Sequence, residues 1–176
     1  MNKISFLFIP VLILFGSVQA ADVDVYLNGA ILGQSCNINT QDLTKNINFP
    51  DIDPREFTNI GTYTESQELK INLRSCTGNV TKLSYMLSGD PDDNDPKIFK
   101  IKGGGSSENV ALATGLGIEV LNANKVAILP NTKTALNSTI TTTTYDLPFY
   151  LRYKSTLPEV TSGDASSILY LDIYYD

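Results

Sequence analysis

Residues 21–31 read ADVDVYLNGAI, and their apolar side chains fall on every second position. This row consists of Val23, Val25, Leu27 and Ile31, with Gly29 in the remaining place. A β-strand has a period of two, so these positions share one face of a predicted strand. The first residues of a processed chain are usually frayed and polar. An apolar row at this place therefore predicts burial, either in the same domain or in another molecule.

Residues 1–20 have the pattern of a secretory signal peptide. Lys3 supplies the positive start, an apolar run follows from Ile4 to Phe15, and small residues predict cleavage after Ala20. A membrane anchor is the weaker alternative, because the run is shorter than the ~20 apolar residues that a spanning helix needs. We therefore expect a secreted chain with no membrane insertion after cleavage. Its 156 residues, 21–176, suit a single domain.

Two cysteines, Cys36 and Cys76, lie 40 positions apart. In a secreted chain, this predicts a disulfide within the domain. Because the sequence contains no histidine, two thiols cannot complete a zinc site, and we predict no metal and no cofactor. The formal net charge of −6 argues against nucleic acid or an anionic membrane as a partner.

The rest of the chain alternates short apolar stretches with turn-rich ones. Strands are predicted at 69–73, 116–121, 147–153 and 169–175, with further candidates at 45–49, 80–87 and 126–129. Many short alternating strands separated by turns are typical of an all-β sandwich. No run of a dozen residues keeps a helical period, so we expect little helix.

The groups that enzymes use most often are missing. Without histidine there is no Ser-His-Asp triad and no usual general base, and the cysteines are expected to be oxidised. We therefore predict no catalytic residues. The acidic stretch 90–95 offers oxygen ligands for calcium, but it lacks the EF-hand spacing, so a solvated loop is favoured over a calcium site.

Several motifs, taken in order, resemble those of one protein family. They are the 21–29 start followed by Cys36, FTNIG at 57–61, ATGLGIEVL at 113–121, Gly163 as the fourteenth residue from the end and Tyr175 as the penultimate residue. Together they resemble the chaperone–usher pilins of Gram-negative bacteria, and most of all the minor tip subunits of type 1 fimbriae, the FimF and FimG type. The likeness extends over essentially all of 21–176.

The resemblance implies an incomplete immunoglobulin-like sandwich, residues 33–176, that a donor strand from another subunit completes. The extension 21–32 would be the donor for a neighbouring subunit, through Val23, Val25, Leu27, Gly29 and Ile31. The acceptor groove and chaperone contact would involve Gly163, Leu169, Leu171, Ile173, Tyr175 and the terminal carboxylate of Asp176. The implied partners are a periplasmic chaperone, an outer-membrane usher and neighbouring pilins.

The resemblance also implies a location and a role. We expect the chain to pass through the periplasm into a fimbria on the bacterial surface, where it supports cell adhesion. A minor tip or adaptor subunit is favoured, because the apolar row starts two residues after the predicted cleavage site. A major rod pilin and a single-domain fimbrial lectin that binds a host glycan are the alternatives.

Overall fold

The computed structural model describes residues 33–104 and 111–175. In these ranges the chain forms eight strands and two short 3-10 turns, at Thr40–Asp42 and Pro54–Glu56. The strands are β1 (Ser35–Ile38), β2 (Gln67–Thr77), β3 (Leu83–Ser88), β4 (Phe99–Lys100), β5 (Leu116–Leu121), β6 (Thr134–Ala135), β7 (Thr144–Ser155) and β8 (Tyr170–Tyr175). The predicted all-β class is confirmed.

The strands form two antiparallel sheets, in the orders β1-β2-β7-β5-β4 and β6-β3-β8. Their inner faces share one core. Tyr85 of β3 meets Phe149 of β7 edge-to-face, with ring centroids 5.3 Å apart, and both side chains are buried. The molecule is therefore a two-sheet sandwich.

All six residues of β5 are buried, so this strand departs from simple alternation. On its outer side, Glu119 accepts a hydrogen bond from Arg152 Nε at 2.6 Å and lies 3.3 Å from Lys154 Nζ. Lys154 Nζ also lies 3.3 Å from Asp95. The alternation at 116–121 correctly identified the inward row, but it did not reveal that the outer row, including the ion-paired Glu119, is buried as well.

Two of the further strand candidates are wrong. Residues 45–49 belong to none of the strands that the structure describes, and Phe49 instead packs its ring 4.4 Å from that of Tyr153. Residues 126–129 form only an isolated bridge, Ala127 to Leu121. Ile128 is buried and Phe49 is half-buried without a full ladder, whereas Val126 and Leu129 are exposed, so the apolar pattern in these stretches did not indicate strand pairing.

The third candidate is shorter than predicted. β3 begins at Leu83 and not at residue 80, because Val80 forms an isolated bridge with Ile140. The strands β1, β4 and β6 were not predicted, since four or two residues are too few to show a period.

A disulfide joins Cys36 of β1 to Cys76 of β2, as the sequence indicated. Both cysteines are buried, and β1 pairs with β2 along the same stretch. The chain-entropy model gives a cross-link of this span roughly 4 kcal/mol of stabilisation. The disulfide therefore stabilises the position of β1, whose four residues form only a short ladder with β2.

A buried carboxylate fixes the turn that follows β1. The Asp42 side chain is only 2% exposed, and its Oδ1 lies 2.6 Å from Lys45 Nζ. Its Oδ2 accepts the backbone N–H of Asn72 at 2.6 Å. The hydrogen bonds from Lys45 and from Asn72 lower the pKa of Asp42 against the opposing effect of burial. The carboxylate thus holds the chain against the edge of β2.

Asp42→Asn is expected to lower the free energy of unfolding at neutral pH by roughly 1.5–3 kcal/mol, the range for hydrogen bonds to charged groups. The folded pKa of Asp42 lies below the unfolded value of about 3.9. The wild-type advantage is therefore present above that value and is lost as the pH falls through the folded pKa. Urea unfolding at neutral and acidic pH measures both effects.

The control for this prediction is Asp53→Asn, because Asp53 caps an exposed turn and pairs with the exposed Arg55. It should change stability little at either pH. An Asp42→Asn loss that stays the same at both pH values would contradict a role for the charge.

Candidate functional site: the open edge of the C-terminal strand

β8 is an edge strand. On one side it pairs with β3, from Tyr170 opposite Ser88 to Tyr175 opposite Leu83. On its other side, no strand among residues 33–104 and 111–175 pairs with it. An edge strand presents backbone N–H and C=O groups to any extended chain that approaches. The six residues of β8 therefore offer a template for one more strand.

The other strands at the ends of the two sheets offer fewer backbone groups for pairing with an added strand. β6 and β4 have two residues each, and β1 has four. The outer side of β4 is also occupied, because the Lys100 N–H donates to Asp90 O at 2.8 Å and the Asp92 N–H donates to Ile98 O at 2.9 Å. In the described part of the chain, β8 is therefore the longest end strand.

The side chains of β8 are also incompletely covered. Its inward row packs against the core but is only half-buried. The row consists of Leu171, Ile173 and Tyr175 in β8 and of Leu169 just before it. The inward residues of the neighbouring strand β3, by contrast, are 1–5% exposed: Leu83 1%, Tyr85 3% and Leu87 5%. An apolar row with this much remaining exposure is what a groove lacking one strand leaves behind.

Two contacts show which elements lie next to this edge. At the end of β8, the Tyr175 hydroxyl donates to the backbone oxygen of Cys36 in β1 at 2.9 Å. Ahead of β8, the Tyr153 hydroxyl donates to Ala165 O at 3.0 Å, and Tyr153 stacks on Phe49. The groove thus adjoins β1 at one end and the Phe49–Tyr153 pair at the other.

Tyr175 contributes more than an apolar surface. Burial raises its pKa, with the hydrogen bond to Cys36 acting in the opposite direction. The phenol therefore stays neutral at physiological pH and keeps its proton for the Cys36 oxygen. Since Cys36 is also held by the disulfide, the end of β8 is tied to a fixed point of the other sheet.

Gly163 lies in the segment before β8, six positions ahead of Leu169. A Cβ at this position would overlap backbone atoms of Ala111 and Ala113. Backbone hydrogen bonds join the same two segments, from Asp164 N–H to Ala111 O at 2.8 Å and from Ala113 N–H to Asp164 O at 3.0 Å. The glycine thus allows a close backbone approach that positions the start of β8.

The remaining predicted site residues lie outside the described residues. They are Val23, Val25, Leu27, Gly29 and Ile31 of the donor row, and Asp176 at the end of the chain. Their roles stay predictions. In the groove, sequence reasoning missed Phe49 and Tyr153, which carried no signal beyond being apolar in stretches where strands were predicted.

The acidic stretch 90–95 uses its carboxylates within the protein. Asp90 pairs with Lys102 at 2.7 Å, Asp93 with Lys100 at 2.5 Å and Asp95 with Lys154 at 3.3 Å. Asp92 is buried and accepts the N–H groups of residues 94 and 95. Among the described residues, no group of three or more His, Cys, Asp or Glu side chains could hold a metal ion. The structure thus explains the acidic loop by ion pairs and a turn.

None of the helices in the part of the chain that the structure describes has the length and apolar character needed to cross a membrane.

Comparisons of the sequence with a family model and with curated proteins agree on one family. A family model described as fimbrial protein matches residues 25–176. The chain is 27% identical over 160 residues to the uncharacterized fimbrial-like protein YcbU of Escherichia coli strain K12, which covers 91% of this chain and 88% of that relative. It is 26% identical over 145 residues to the fimbrial subunit type 1 of Salmonella typhimurium, which covers 81% of this chain and 77% of that relative.

The fold also has a solved counterpart. A structure of a chaperone–usher pilus superposes with a TM-score of 0.62 at 17% identity, covering 92% of this chain and 99% of that one. At this identity the likeness concerns the fold. Together with the open edge of β8, it identifies the sandwich as an incomplete immunoglobulin-like fold with one disulfide.

Proposed function

The chain belongs to the fimbrial protein family, and on that premise we propose that it is a chaperone–usher pilin that polymerises by donor-strand exchange. Family membership makes it a structural protein of the surface fimbria and not an enzyme. The observation that carries the proposal is the outer edge of β8, with which no strand of residues 33–104 and 111–175 pairs, together with its half-buried apolar row.

The size of that row supports a stable partner strand. Four apolar side chains line it, and because each is already half-buried, a partner strand adds only about half of the roughly 1.5–3 kcal/mol for full burial, so the gross gain on this row is roughly 3–6 kcal/mol. Ladder hydrogen bonds to an open edge add direction and register, as in other cases of β-strand addition. The groove therefore favours an extended apolar segment over a compact ligand.

The sequence supplies such a segment in the extension 21–32. Its apolar row alternates along one face, as a strand that fills a groove must. Residues 1–20 act as the leader in this proposal, and 33–176 as the pilin domain. Since the proposed donor segment of one subunit fills the groove of another, the two contact surfaces differ, and the contact is heterologous and grows a fibre, not a closed dimer.

An open apolar edge also explains why assembly would need a chaperone and an usher. Before assembly, β8 would pair with any available strand and aggregate. A periplasmic chaperone that lends a strand removes this hazard, and an outer-membrane usher provides the place of exchange. The terminal carboxylate of Asp176 is the proposed anchor for basic chaperone residues.

We assign the subunit to the minor tip or adaptor class, where it supports adhesion. The support is the short distance from the predicted cleavage site to the apolar row. The number of copies per fibre distinguishes this class from a rod pilin.

Addition of a synthetic 21–32 peptide to the fragment 33–176 tests the proposal. The fragment alone should aggregate or unfold readily, whereas the peptide should bind with a ratio of one to one and slow its unfolding. Amide exchange should then show new protection along β8. The same peptide with Leu27→Asp is the control. A fragment that is stable alone and never accepts the peptide would rule out the incomplete sandwich.

A further inference from the structure

Two large apolar side chains are exposed just before and at the first residue of β8, outside the inward row. Ile168 is 68% exposed and Tyr170 is 66% exposed. Both occupy even-numbered positions, so they alternate with Leu169 and Leu171 of the row. Neither side chain lines the groove. The direction in which the extension of a neighbouring subunit enters the groove indicates which surface they contact.

The first described residues of the domain lie near the opposite end of β8. Gly33 precedes β1 by two residues, and the Cys36 oxygen of β1 accepts the Tyr175 hydroxyl at 2.9 Å. The junction with one neighbour therefore lies close to Tyr175. A second junction at the same end would bring two folded domains into the same space.

An antiparallel entry avoids this conflict. A neighbour's extension that runs antiparallel to β8 has its residue 21 toward Tyr175 and its residue 32 toward Tyr170. Antiparallel ladders are also slightly more stable than parallel ones. The two junctions then lie at opposite ends of the subunit, as a head-to-tail fibre requires.

The extension leaves little slack at that end. Its last row residue, Ile31, is four residues from Ser35, where β1 begins, and four residues span at most about 14 Å. The row has five positions, from Val23 to Ile31, against three inward positions on β8 and one, Leu169, just before it. The incoming domain must therefore begin beside the segment that carries Ile168 and Tyr170.

We propose that Ile168 and Tyr170 form a contact surface for the folded domain of the next pilin subunit, next to the groove that its extension fills. This inference rests on the proposed function, since it assumes strand exchange. It adds a second contact between the bodies of successive subunits, which would restrict bending at the junction and slow its dissociation.

Photo-cross-linking in assembled fimbriae tests the contact. Benzoylphenylalanine in place of Ile168 should cross-link to the next subunit, within the first folded residues of that subunit. The same group in place of Tyr26, which faces away from the groove on the donor strand, reports strand exchange itself. Cross-links from position 26 but none from 168, or links from 168 to the chaperone alone, would overturn the contact and leave the proposed function standing. Loss of both would overturn the proposed function.

Substitution gives a second readout. In the acceptor subunit, Ile168→Asn should make a full-length donor subunit dissociate from the groove about tenfold faster. Dissociation of the 21–32 peptide from the same groove should stay unchanged, because the peptide has no folded domain. Val126→Asn is the matched control, because Val126 is 58% exposed in the turn after β5. Equal effects of Ile168→Asn on both donors, or no effect on either, would contradict the contact.

Discussion

Leu27→Asp is expected to abolish docking of this subunit onto a preceding one, while the variant still pairs with its chaperone. Leu27 is the central member of the donor row. In the groove its side chain gains roughly 1.5–3 kcal/mol, whereas an unpaired carboxylate there would lose its hydration without compensation. The groove of the variant, formed by β8, is unchanged. Co-purification with the chaperone and fibre counts by electron microscopy measure the two activities separately.

The matched control for this variant is Asn28→Asp. It adds the same charge one position along, on the face that points away from the groove in the proposed donor strand. It should assemble nearly as well as the wild type. Normal fibre assembly by Leu27→Asp would refute the donor-strand assignment.

Ile173→Asp is expected to have the reciprocal effect: the variant should lose both chaperone pairing and acceptance of the next subunit. Ile173 is half-buried in the middle of the inward row and lies opposite Tyr85 of β3. With the groove empty, the new carboxylate keeps part of its hydration; a strand laid over it would remove that hydration. Pull-down of the chaperone and addition of the 21–32 peptide measure the loss.

Two variants control for simple unfolding. Tyr174→Asp places the charge on the outward face, where Lys133 Nζ lies 4.8 Å from the Tyr174 ring, and should be tolerated. Ile173→Ala removes apolar surface without charge and should weaken acceptance only in part. If Ile173→Asp accepted a strand as the wild type does, β8 would not be the acceptor edge.

The two charge variants can also be combined. A Leu27→Asp chain keeps its groove, and an Ile173→Asp chain keeps its donor extension. Mixed together, they should form one junction and stop, giving a dimer where each variant alone gives none. Formation of longer fibres from this mixture would contradict a single groove and a single donor strand per subunit.

The alternating pattern was sufficient to predict much of the fold. A period of two at 69–73, 116–121, 147–153 and 169–175 corresponds to β2, β5, β7 and β8, because the pattern records which face of a strand is buried. The disulfide followed from two cysteines in a chain that the sequence predicts to be secreted. The same pattern identified the row from Leu169 to Tyr175 as inward-facing.

The pattern was insufficient where burial has another cause. Phe49 is half-buried because it packs on Tyr153, and Asp42 is buried because the Asn72 N–H and Lys45 compensate its charge. Each of these contacts joins residues far apart in the chain or depends on the exact turn between them. Local spacing carries no information about such partners.

The alternating sequence predicts that β8 has one apolar face and that a second apolar row, from Val23 to Ile31, precedes the domain. The position of β8 at the end of a sheet, with β3 on one side and no described strand on the other, follows only from the tertiary structure. A side-chain period specifies which face of a strand is buried, whereas the neighbours of the strand are set by long-range pairing among all the strands. An open edge is a property of that pairing.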